Sequence, residues 1–222
     1  MMPTVAEVLD DPEAKKLLRG TQIIVAALCM GVMTFTIVSV VVTQTMPPVT
    51  MLPFSGFMLL FALGFALMAQ IASAIVTRFT LKALRRRLAA SPNAVLQPSN
   101  AIAGALMLLM PMAGSFAGQQ PQGFDPSFMQ RAGDIAHLLV GFRTLTIVTA
   151  ALLEGPAFLS LVSYIIERHP GSLILAGLLF CALLLKIPTR DKLESGLTEQ
   201  LRLLEEERGM TSQPNRAVNW ER

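Results

Sequence analysis

Four apolar runs dominate this chain, residues 23–42, 54–76, 144–166 and 172–187, and Glu154 and Lys186 are the only ionisable Asp, Glu, Lys or Arg side chains in them. About 20 consecutive apolar residues, wound as a helix, cross the hydrocarbon core of a bilayer, and the backbone of such a segment must satisfy its own hydrogen bonds. The pattern therefore predicts helices in a membrane. The composition agrees, with 53% hydrophobic and 15% charged residues and a mean hydropathy of +0.56. The fourth run is short and needs Lys186 as a snorkelling end residue.

The two cysteines, Cys29 and Cys181, fall in different apolar runs, where they act as small hydrophobes rather than as a disulfide or metal pair. A net charge of +3 does not point to nucleic acid, because the basic residues sit at the edges of the apolar runs, where topology places them. Ahead of the first run, Asp11-Pro12-Glu13 supplies a helix cap, a proline at the first helical position and an acid in the first turn. That helix is expected to start in water and enter the membrane as a retained anchor.

Lys and Arg are held on the cytoplasmic side during insertion, so their distribution reports threading. With four crossings and a cytoplasmic N-terminus, seventeen of the eighteen basic residues lie inside and only Arg168 lies outside. The uncharged segment 101–118 could pose as a fifth crossing, but that would leave nine basic residues on each side and erase the bias. Pro111, Gly114 and Gly118 also interrupt it. A half-helix on or dipping into the cytoplasmic face is the better reading. Its Met107, Met110 and Met112 have no Cys or His beside them, so gap filling is preferred over a copper cluster, and no metal or cofactor is expected.

The expected fold is all-α, an integral membrane four-helix bundle of two hairpins with a cytoplasmic loop and an amphipathic C-terminal helix. Residues 1–20 form a cytoplasmic N-terminal segment, 21–77 the first hairpin, 78–143 the cytoplasmic loop, 144–188 the second hairpin, and 189–222 the terminal helix and tail. Within the loop, 84–130 is poor in structure signals, whereas Asp134, Ile135, Leu138, Leu139 and Phe142 keep helical spacing into the third span. His137 and His169 read as solvated or capping groups. The very short turn at 167–171 predicts a tight hairpin.

From Arg190 to Arg208 the leucines 193, 197, 201 and 204 line one helical face about 16 Å long. This stripe could pack within the chain, against a second copy, or against another protein. Inside the membrane, close packing of small residues must hold the helices together. Ala27 with Gly31, Ala62 with Ala66, Ala69 with Ser73, and Gly177 with Cys181 have the required spacing.

Glu154 lies beside Gly155 and Pro156, the residues most able to open a helix ladder, and about 16 Å along the helix from Arg143. Gln70 lies about 12 Å from Arg78, close to the same level. A lone carboxylate in hydrocarbon is costly, so Glu154 is expected to be neutral or hydrogen-bonded to Gln70, Ser73 or Thr34. The candidate polar site is therefore Glu154, Gly155, Pro156 and Gln70. A neutral acid joining helices, a proton or ion site, and a substrate contact all fit it.

The segment Ala151-Leu152-Leu153-Glu154-Gly155-Pro156-Ala157-Phe158, with Pro188-Thr189-Arg190 before a charged terminal helix, resembles a group of uncharacterised bacterial four-helix inner-membrane proteins. The resemblance covers 143–208 and implies an inner-membrane location with no assigned activity. An acid followed by small residues in a membrane hairpin is also similar to the proton-carrying subunit of rotary ATPases. This chain departs from that family in lacking its glycine-repeat helix and in carrying the acid on the first helix of a hairpin. No cluster of chemistry-bearing residues and no phosphate loop suggests catalysis. The expected role is a non-enzymatic membrane scaffold, with an oligomeric proton or cation carrier as the alternative.

Overall fold

The computed structural model describes residues 4–45, 56–90 and 126–211, and all regular structure among them is helical. In chain order the helices are α1 (Val5–Asp10), α2 (Pro12–Thr45), α3 (Phe57–Ala90), α4 (Pro126–Glu167), α5 (Pro170–Leu185) and α6 (Arg190–Thr211). The segment 101–118, expected to form a half-helix, lies outside the described residues.

Three helices, α2, α3 and α4, are long and apolar enough to cross a membrane. The fourth apolar helix, α5, has 16 residues, or about 24 Å of helix against a hydrocarbon core of about 30 Å. The protein thus has the helices of a membrane protein.

Helix starts follow local chemistry. Thr4 and Glu7 form a reciprocal capping box, with the Glu7 carboxylate accepting from the Thr4 N–H at 2.8 Å and the Thr4 hydroxyl accepting from the Glu7 N–H at 3.3 Å. This box starts α1, within the N-terminal segment 1–20. Asp11 caps α2 by accepting from the Glu13 N–H at 2.9 Å, and α2 then runs unbroken through the first apolar run as expected.

The stretch from 78 was expected to be loop, yet α3 continues to Ala90 and α4 begins at Pro126. The reason is packing, since Leu84, Leu88, Phe128 and Ala132 all join one apolar core. Within α4, Gly133 has φ +49°, a conformation that suits glycine, and separates a short leading helix from the long one that follows.

The chain divides into two compact units. The first combines Met1–Leu18, Arg78–Arg143 and Thr189–Arg222. Its core gathers Val8, Leu9, Leu88, Phe128, Leu138, Leu139, Leu193, Leu197 and Leu204. The leucine stripe of α6 is therefore packed inside its own chain, with Leu197 fully buried. Ion pairs surround this core. Arg208 reaches Asp134 at 2.7 Å and donates to the Leu88 carbonyl at 2.9 Å, near the C-terminal end of α3. Arg85 donates to the Gln200 side-chain carbonyl at 3.2 Å and lies 3.4 Å from Glu207.

The second unit comprises Arg19–Thr77 and Thr144–Pro188. Its core joins Val25, Cys29 and Val32 of α2, Ala66 of α3, Ala150, Leu153, Ala157 and Leu161 of α4, and Ala176, Leu179 and Leu183 of α5. Small residues do make the contact face of α3, where Ala62, Ala66, Ala69 and Ser73 are buried. In contrast, Ala27, Gly177 and Cys181 are exposed. The turn between α4 and α5 is as tight as expected: Arg168 adopts φ +51° and the His169 ring caps α5 by accepting from the Gly171 N–H. Ser163 and Ser172 hydrogen-bond across this hairpin at 3.0 Å.

Candidate functional site

Glu154 sits in the apolar part of α4, the most enclosed of the three long helices; 44% of its apolar window is buried, against 22% in α2 and 28% in α3. The helix runs through Gly155 and Pro156 with helical backbone, and the Ser160 hydroxyl donates to the Pro156 carbonyl at 2.8 Å. Proline has no N–H to give to the carbonyl of Leu152, so this turn carries one fewer ladder bond. The expected opening of the ladder is thus local and does not break the helix.

The direction of the Glu154 side chain is fixed by its neighbours. A Cβ placed on Gly31 of α2 would lie 3.5 Å from Glu154 Oε1 and 3.7 Å from the Phe158 ring. Phe158 also meets Phe35 edge to face, with ring centroids 5.3 Å apart. Glu154 therefore rests, half-buried, against a glycine notch on α2, flanked by an aromatic pair one turn further on. Gly155 points elsewhere: a Cβ there would lie 3.6 Å from Phe65 of α3.

That division separates Glu154 from its expected partners. Gln70 is exposed, and it lies about 140° around α3 from Phe65 at 100° per residue. Thr34 is exposed, and Ser73 is buried on α3, where its carbonyl accepts from the Thr77 hydroxyl. Among the described residues, Glu154 makes no hydrogen bond or ion pair. Three of the four candidate residues, Glu154, Gly155 and Pro156, form one turn; Gln70 does not join them.

A groove of about 300 Å³ between α2 and α5, lined by Met33, Ile37, Gly177, Phe180 and four others, is apolar and does not include Glu154. Among the described residues, no three His, Cys, Asp or Glu side chains gather as a metal site. His169 serves as the cap described above.

Sequence reasoning missed two polar tethers in this unit. The Glu167 carboxylate accepts from the backbone N–H groups of Met58, at 2.8 Å, and Leu59, at 3.3 Å, capping α3 from the end of α4. The Gln22 side-chain amide donates to the Pro188 carbonyl at 2.9 Å. An acid ending an apolar run beside a short turn was the available signal for the first. The second had none, because its acceptor is main chain.

No protein-family model, curated protein or solved structure matches the chain.

Proposed function

We propose that the chain is a non-enzymatic scaffold of a bacterial inner membrane, threaded four times with both termini in the cytoplasm, which presents a folded helical unit to a protein partner or to a second copy. The observation that carries this reading is the first unit itself. It is a built apolar core drawn from three separate stretches of chain, and ion pairs tie its terminal helix in place. Because the leucines of α6 face inward, the outward face left for a partner is polar, carrying Glu199, Arg202, Glu205 and Glu206. The basic-residue count and the resemblance over 143–208 support the orientation and location.

The test is photocrosslinking in cells from single positions on that face, Thr198 and Glu205, with buried Leu197 as the control. A discrete adduct from the outward positions and none from Leu197 fits the proposal. No adduct from any outward position contradicts it.

One observation favours a second reading, a proton or cation carrier that acts through Glu154. An acid with no partner among the described residues is available to bind a proton or ion. The apolar surroundings within the unit mean that a pathway would have to be completed by other copies. Flux in proteoliposomes, abolished by Glu154→Gln, would support this reading, and equal flux from both proteins would sink it.

A further inference from the structure

Between Glu13 and Asp125 the sequence contains no acidic residue, yet this stretch holds eight basic ones. Two sets stand out among the described cations of the first unit, Arg143 and Lys192 aside. Lys15, Lys16, Arg85, Arg131, Arg190, Arg202 and Arg208 each pair with an acid of the same chain. Arg78, Lys82, Arg86 and Arg87 are exposed and pair with no acid among the described residues. All four lie on α3 directly after its apolar run.

Their spacing is ordered. Arg78, Lys82 and Arg86 recur every fourth residue, so they stack on one face of the helix about 6 Å apart. Arg87 follows about 100° further round. Phe79, 69% exposed, lies beside Arg78 at the boundary. An aromatic ring at a helix exit, followed by a column of long cationic side chains, matches a bilayer interface, where the ring sits at headgroup level and the cations meet phosphates.

We infer that Arg78, Lys82, Arg86 and Arg87 form a binding surface for anionic phospholipid headgroups in the leaflet at the C-terminal end of α3. The column is the complement of a phosphate-bearing surface, and no acid among the described residues pairs with it, whereas other cations of the unit are paired. Each cation that reaches the headgroups strengthens anionic-lipid association about fivefold at moderate salt. This surface lies at the headgroups whichever side of the bilayer the termini occupy, provided that α3 crosses it.

The full chain is reconstituted in vesicles of four parts phosphatidylcholine to one part phosphatidylglycerol. It is then extracted in polymer-bounded discs, and the headgroup ratio around the protein is measured. Wild type should be enriched severalfold in phosphatidylglycerol, and the variant R78Q/K82Q/R86Q/R87Q should return to the vesicle ratio. The control K15Q/K16Q/R202Q, which removes paired cations, should keep the enrichment. Raising the salt concentration on wild type should remove it, which tests the idea without any variant. The vesicle ratio around wild type, full enrichment in the quadruple variant, equal loss in the control, or insensitivity to salt would each overturn the inference. So would displacement by inorganic phosphate at matched ionic strength, which would identify a free anion as the ligand.

Discussion

The carboxylate of Glu167, at the last position of α4, accepts from the Met58 N–H at 2.8 Å and so caps a different helix, α3. The first N–H groups of a helix have no partner within it, and at a membrane surface an anion there also meets the positive end of the helix dipole. Glu167→Ala should therefore cost about 1–2 kcal/mol of stability. Glu167→Gln, which keeps an acceptor and loses the charge, should cost less. Reversible unfolding of the purified protein in detergent measures both.

Arg208 links three elements through Asp134 and the Leu88 carbonyl, with the paired side chains 29% and 17% exposed. Partial exposure keeps its contribution below that of a fully buried pair, so Arg208→Ala should cost about 1–3 kcal/mol. The loss should be local. Hydrogen exchange should accelerate in α6 and in the last turn of α3, with the second unit unchanged; uniform acceleration would contradict the assignment.

Asp10 is held below the usual carboxylate range by its hydrogen bonds to Lys15 and Arg190, at 3.1 and 3.0 Å. Its folded-state pKa is thus depressed. The contribution is present above the unfolded value, about 3.9, and is lost as pH falls through the lower folded value. Exchange protection of α1 should decline as the pH is taken below about 4. Asp10→Asn should weaken α1 at neutral pH and flatten that dependence.

A neutral acid joining helices would be damaged by an apolar replacement at position 154. Because Glu154 has no hydrogen bond or ion pair among the described residues, Glu154→Leu should be neutral or stabilising by about 1 kcal/mol. Gly31→Ala should also be tolerated, since its Cβ would sit at ordinary contact distance, 3.5 Å, from Glu154 Oε1. A loss of several kcal/mol from Glu154→Leu would restore the joining role.

The legible parts of this fold were those set by local pattern. Charge-free length marked the apolar helices, the Asp11-Pro12 start marked α2, and the leucine spacing marked α6 with its bounds close to those found. What local pattern could not show was which way a face turns. Counting residues from the basic boundary puts Gln70 and Glu154 near one level, but Glu154 lies against Gly31 of α2, while a Cβ on Gly155 would face Phe65 of α3. The helical stretch 84–90 was misread as loop because the partners that stabilise it, Phe128 and Ala132, lie some 40 residues along the chain. The Thr4 to Glu7 capping box is itself a local pattern, a threonine with a glutamate three residues on.

The central claim is the threading, and cysteine accessibility tests it most directly. With Cys29 and Cys181 replaced by alanine, single cysteines at Thr4, His169 and Thr198 are exposed in intact cells to a membrane-impermeant maleimide. The account predicts labelling at His169→Cys alone, with Thr4→Cys and Thr198→Cys labelled only after the membrane is opened. Labelling of Thr4→Cys or Thr198→Cys in intact cells would contradict it.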